Sequence, residues 1–191
     1  MTNEKEWSEA VADRIRTEGQ LEEFDGISVR VGTTAKLPYA RKVLEPVEKE
    51  SSQRRVAGHQ TDLLLYDQLD SSWWVPRVVI ECILGEVTAD DALTFSAKAA
   101  KHRNVHSYLR CGVLVSSKNL FPVPASRMLR HGDRFDFIAS WTDEKASETE
   151  WALFVDMLRE ELRSSRTIQE LFTSGQTPIK YSIVRRQLSF R

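Results

Sequence analysis

Apolar and polar positions alternate along this chain in two distinct periods. Over residues 3–18, "NEKEWSEAVADRIRTE", Trp7, Val11 and Ile15 recur every four positions among charged residues, and Gly19 follows. That spacing predicts an amphipathic helix with a stop signal. The same period in Trp151, Val155, Leu158 and Leu162 predicts a long helix over 148–172. Short apolar runs predict strands at "ISVRVG", "TDLLLYDQ" (61–68), "WWVPRVVIECILG" (73–85), "YLRCGVLVSS" (108–117) and "FDFIASW" (135–141). Pro76 suggests that regular pairing of the 73–85 strand begins after it.

Between these runs, "TADDALTFSAKAAKHRNVH" (88–106) reads as the clearest helix. Thr88 can cap it, Asp90 and Asp91 occupy its first turn, and Lys101, His102 and Arg103 crowd its last. The turn "LDSS" makes 61–68 and 77–83 an antiparallel hairpin. The helix at 88–106 makes the strands 78–84 and 110–116 parallel across a crossover. The long polar stretch "KLPYARKVLEPVEKESSQRRVAGHQ" reads as a partly helical excursion, and "KYSIVRRQLSFR" as an edge strand. Together these elements predict an α/β protein: a central mixed β-sheet flanked by helices, in one domain over 1–191.

Composition narrows the class without naming a function. The 191 residues are 41% hydrophobic and 29% charged, ordinary for a globular domain, with a formal net charge of -1. No run reaches the length of about 18 apolar residues that a membrane span needs, and "MTNEKEWSEA" is too polar for a signal peptide, so a cytoplasmic protein is expected. Cys82 and Cys111, each inside an apolar run, read as buried free thiols. Charge is unevenly spread. Residues 1–25 carry three basic against eight acidic side chains, whereas residues 98–134 carry eight basic against Asp133 alone. Either a basic face suited to a polyanion results, or the charges interleave in space and cancel.

The candidate chemistry begins at "VVIECILG", where Glu81 interrupts a strand that is otherwise apolar. An uncompensated buried carboxylate costs several kcal/mol. Antiparallel pairing of 61–67 with 77–83 sets Asp62 beside Glu81 at one edge of the hairpin. Two carboxylates at a strand end supply hard oxygen ligands for Mg²⁺, the remaining positions going to water and substrate phosphate. A nearby lysine would orient the attacking water or offset charge on the phosphorus centre. The competing reading is structural: Asp62 caps a turn, and Glu81 forms a buried salt bridge with Lys98 or Arg77.

A helix, a hairpin with an acid on each strand, a helix and a strand resemble the core of the PD-(D/E)XK nuclease superfamily, over about residues 60–117 with 3–18 as the first helix. In that family's pattern Asp62 takes the place of the first acid and Glu81 of the second. Ile83 stands where the lysine would be, and Thr61 where the proline would be. Some branches of the superfamily carry the lysine on the following helix, and "SAKAAKHR" offers Lys98, with Lys101 as the alternative. The resemblance implies a Mg²⁺-dependent endonuclease acting on double-stranded DNA, of the site-specific type II restriction kind and a homodimer. A repair, phage or mobile-element nuclease with the same core is one alternative. A catalytically inactive fold that binds DNA or protein is another.

Under that reading Arg54, Arg55, Arg127, Arg130 and Arg134 are candidate DNA contacts, with Arg185 and Arg186 near the C-terminus. Gln60 is a candidate phosphate contact, and Glu86 and Asp90 are candidate outer ligands. His102 and His106 lie four apart but lack the glutamate and third ligand of a zinc site, and read as packing or capping residues. Trp73 and Trp74 read as core or dimer anchors.

Overall fold

A computed structural model describes residues 3–43, 54–71, 73–116 and 130–173, with the side chains of 38–43 and 54–57 left aside. The elements are α1 (Glu4–Glu18), β1 (Glu23–Phe24), β2 (Ile27–Thr33), β3 (Lys36–Val43), β4 (Arg54–Gln60), β5 (Leu63–Gln68), β6 (Trp74–Leu84), α2 (Ala89–Val105), β7 (Arg110–Ser116), β8 (Phe137–Trp141) and α3 (Glu148–Thr173). Six strands form one mixed sheet in the order β1-β2-β5-β6-β7-β8, and among the described residues β3 pairs with β4 in a separate two-stranded sheet. β2, β5 and β6 pair antiparallel in succession, whereas β6, β7 and β8 are parallel.

The helices flank this sheet, and strand alternation decides what each covers. Leu63, Leu65, Val78, Ile80, Cys82 and Leu114 share a core with Trp7, Val11 and Ile15 of α1 and with Trp151, Phe154, Leu158 and Leu162 of α3. On the opposite face, Leu64, Val79 and Cys111 pack with Ala99 of α2, and Ile83, Val113 and Val115 pack with Ala92. The result is an α/β/α arrangement in which β6, the long central strand, is covered on both sides.

Local chemistry sets the ends of the elements. Asn3 and Glu6 form a capping box on α1, and Thr88 and Asp91 form one on α2. Thr88 therefore caps α2, while Asp90 lies in its first turn. Gly85 adopts φ 122° and donates its N–H to Ser116 O at 2.8 Å, turning the chain out of β6 toward α2.

In the stretch 36–60 the described residues form β3 and β4, paired antiparallel from Lys36 and Gln60 at one end to Val43 and Arg54 at the other, and the part of the expected helical excursion at 44–53 lies outside the described residues. Cross-strand backbone pairing, which needs no apolar stripe, organises this polar segment. Trp73 is 71% exposed and Trp74 43%, so neither is a core anchor. The strand expected at "KYSIVRRQLSFR" lies outside the described residues, as do Arg127, Arg185 and Arg186. Pairing of β6 already begins at Trp74, but its register shifts between Leu65 and Tyr66, leaving Arg77 as the extra residue just after Pro76. Among the described residues no helix is long and apolar enough to cross a membrane.

Candidate active site

Glu81 lies between Val79 and Ile83 on the α2 side of β6, while Ile80 and Cys82 point into the opposite core. It is 4% exposed. The β5–β6 register pairs Leu63 with Ile80, so the next position, Asp62, falls opposite Glu81. Asp62 Oδ2 accepts the N–H of Cys82 at 2.9 Å, which holds its carboxylate against the end of β6. Lys98 reaches the same point from α2, its Nζ donating to Glu81 Oε2 at 3.0 Å. Its stem passes the Phe95 ring, with the ammonium 4.9 Å from the ring centroid.

The buried face of α2 makes this approach possible. Ala92, Ser96, Ala99 and His102 form its buried stripe, and the small side chains among them let the helix lie close to the sheet. Lys101, three residues on from Lys98, is exposed. The geometry thus brings Asp62, Glu81 and Lys98 together, and places Lys101 outside that cluster. Arg77, the other cation considered for Glu81, pairs instead with Asp67 on the far face of the sheet, Nε to Oδ2 at 2.7 Å.

Burial pushes the Glu81 carboxyl up to about 7; Lys98 opposes this shift, and Asp62 and Glu4 reinforce it. Glu81 Oε1 is buried and has no hydrogen-bond partner among the described residues. An orphaned carboxylate oxygen next to a second carboxylate is a donor set that suits a hard divalent cation such as Mg²⁺. Among the described residues no group of three or more His, Cys, Asp or Glu side chains that could hold a metal ion is formed.

Sequence reasoning missed Glu4. It opens α1, and its Oε2 accepts the Leu84 N–H at 3.4 Å, three positions beyond Glu81. Partial burial holds its carboxyl above the ordinary value, with Asp62 and Asp91 adding to the rise against the Leu84 N–H and Lys98. An acid in the first turn of a helix reads from sequence as a dipole partner, and nothing local shows that the turn abuts β6.

The remaining candidates are dispersed. Glu86, Arg130 and Arg134 are exposed, Arg134 Nε lying 3.2 Å from Asp133 Oδ2. Asp90 sits in the first turn of α2, and Arg54 and Arg55 lie at the start of β4. His106 caps α2 and His102 is fully buried on it. Both cysteines are buried and free. Burial pushes the Cys111 thiol up to about 12. Part of the basic excess of 98–134 is neutralised inside the fold: Arg103 and Arg110 both meet Asp136, and Arg110 Nε also meets Glu161 at 2.6 Å.

No protein-family model and no curated protein matches this chain.

Proposed function

We propose that the protein is a Mg²⁺-dependent endonuclease that hydrolyses phosphodiester bonds in double-stranded DNA, of the site-specific type II restriction kind. The observation that carries this reading is the meeting of Asp62, Glu81 and Lys98 at one end of the β5–β6 hairpin, with Glu81 Oε1 left without a hydrogen-bond partner beside the second carboxylate. The order of α1, the β5–β6 hairpin, α2 and parallel β7 also agrees with the core that the resemblance to PD-(D/E)XK nucleases implies.

In this role Asp62 and Glu81 hold the cation, Asp62 being fixed by the Cys82 N–H and Glu81 by the packed strand around it. A bound Mg²⁺ supplies Lewis acidity and lowers the pKa of a coordinated water. Lys98 has two tasks that need no rearrangement of the backbone. Its ammonium favours the ionised form of Glu81, and its remaining N–H groups orient a water toward the phosphorus or donate to a phosphate oxygen. Glu4, at the rim, adds negative charge that favours a cation. Cutting both strands of a palindromic site calls for two copies related by a two-fold axis, hence a homodimer.

A second reading is a catalytically inactive nuclease fold retained for binding, and the closed Lys98–Glu81 ion pair favours it. Plasmid cleavage with Mg²⁺ separates the two. Wild type is expected to nick or cut, with discrete bands, and Asp62→Asn and Glu81→Gln to be inactive. Failure of the wild type to cut a broad panel of DNA substrates would leave only the binding module, and a smear would point to a non-specific nuclease.

A further inference from the structure

We propose that Lys98 is a tethered cation that keeps Glu81 closed to metal until a phosphodiester arrives. Its ammonium and a divalent cation compete for the same carboxylate, and a phosphate that accepts from the freed ammonium lets the divalent cation take its place. This deepens the nuclease reading and rests on it for the kind of anion that enters, whereas competition for Glu81 concerns the protein and the cation alone. Lys98 Nζ donates to Glu81 Oε2 at 3.0 Å, while the buried Oε1 has no hydrogen-bond partner among the described residues. The ion pair is thus half made. A single ammonium occupies one oxygen and leaves the other to a ligand shared with Asp62, which falls opposite Glu81 across the hairpin.

The two partners differ in their freedom to separate. The Glu81 side chain is 5% exposed and that of Lys98 24%. A carboxylate so deeply buried cannot lose its cation without a replacement, because an unpaired buried charge is strongly destabilising. The ammonium can leave, since it reaches solvent and its four-carbon stem swings without movement of the backbone. Asp62 and Asp91 do not follow it: Asp62 Oδ2 is held by the Cys82 N–H at 2.9 Å, and Asp91 closes the capping box of α2 with Thr88. Were Lys98 to stay beside a bound divalent cation, the two would repel each other, strongly in a site shielded from water. A phosphodiester relieves that repulsion, because its oxygens both ligate hard cations and accept from an ammonium. Each ligand then strengthens the binding of the other by the same factor. The closed Lys98–Glu81 pair is accordingly the resting state of a cation site.

Isothermal titration calorimetry of Mg²⁺ into the chelator-stripped full chain reads the competition directly. The titrations are made at about pH 8.5, above the value of about 7 at which Glu81 titrates, with either dimethyl phosphate or sodium chloride at equal ionic strength. In chloride, Lys98→Met is expected to bind Mg²⁺ about tenfold more tightly than wild type, and Lys98→Arg to match wild type. Dimethyl phosphate is expected to tighten Mg²⁺ binding about tenfold in wild type and far less in Lys98→Met. Lys101→Met makes the same change of net charge on the same helix and should bind Mg²⁺ as wild type does. A salt bridge that only holds the fold together predicts the opposite sign, because Glu81 without its anchor would bind Mg²⁺ no better. Equal affinity in wild type and Lys98→Met, or an equal gain in Lys101→Met, would overturn the proposal. So would the absence of Mg²⁺ binding in both wild type and Lys98→Met, or a wild-type affinity that dimethyl phosphate leaves unchanged, a result that depends on no variant folding. If the expected shifts appear but the wild type cuts no DNA, the competition for Glu81 stands and the nuclease reading falls.

Discussion

Lys98 Nζ stands 3.0 Å from Glu81 Oε2, so α2 brings to Glu81 a cation that Ile83, two residues further along β6, cannot supply. Lys101 lies on the exposed side of the same helix. In plasmid cleavage, Lys98→Ala is expected to lower the rate by about 10²-fold or more, the range of a positioned proton-handling group. Lys101→Ala is expected to stay within a few-fold of wild type. A larger effect at Lys101 than at Lys98 would move the role to Lys101.

Glu81 makes the site costly for the fold, and pH exposes that cost. Its carboxyl titrates at the ordinary 4.5 when unfolded and at about 7 when folded. The folded state therefore holds the extra proton between those values. Stability from this group is fully present below pH 4.5 and is lost as pH rises through 7. In metal-free protein, Glu81→Gln should gain stability over wild type progressively across that window, reaching up to about 3 kcal/mol and then levelling off. Denaturant melts in chelator from about pH 4 to about pH 8 measure the difference. A constant difference across the range would show that burial does not strain this carboxylate.

Cation binding should offset the same cost. Mg²⁺ at about a hundred times its Kd would stabilise the wild type by about 2.7 kcal/mol. Thermal melts with and without Mg²⁺ should show that shift in wild type and little of it in Asp62→Asn or Glu81→Gln. Equal shifts in all three proteins would place the cation elsewhere.

The pattern of residues revealed the scaffold where periodicity was long or caps were explicit. Thr88 and Asp91 mark the start of α2 in the sequence and cap it in the structure, and a glutamate inside "VVIECILG" signals the site because a strand buried on both faces has no other place for one. The β3–β4 ribbon was illegible because its strands are basic and their apolar residues too sparse to set a period. Glu4 and the pairing of Asp67 with Arg166 were hidden for a different reason: their partners lie 80 and 99 residues away along the chain. Local sequence carries no record of such distances.

His102 tests the underside of α2. Burial pushes its imidazole down to about 4, and His59, His106 and Lys98 reinforce the shift. Unfolded, it titrates at the ordinary 6.5, so the unfolded state binds the proton first on acidification. Stability from this group is full above pH 6.5 and is lost as pH falls toward 4, by up to about 3 kcal/mol. His102→Leu should lack that acid-side slope while remaining folded at neutral pH. Chemical denaturation at about pH 4.5 and about pH 7 measures the difference, and an unchanged slope would place the acid sensitivity in other groups.

Asp67 binds the two halves of the fold from the opposite face. It is fully buried, accepting from Arg77 Nε at 2.7 Å and from Arg166 Nη2 at 2.8 Å, and so joins β5, β6 and α3. Arg166 Nη1 donates further to Phe24 O at 3.0 Å. The bulge at Arg77 matters here, because the extra residue places this side chain within reach of Asp67. Removing the shared carboxylate leaves two buried guanidinium groups facing each other, a change that typically costs about 3–5 kcal/mol. Asp67→Asn should therefore lower the unfolding free energy by that amount, through a lower urea midpoint at an unchanged m-value. Asp67→Leu combined with Arg77→Met and Arg166→Met should recover most of that stability, because no uncompensated charge remains. Cleavage per folded molecule should stay at the wild-type level in both, since this triad lies on the sheet face away from Glu81. A midpoint unchanged by Asp67→Asn would mean that water reaches the triad and that α3 is held by its apolar face alone.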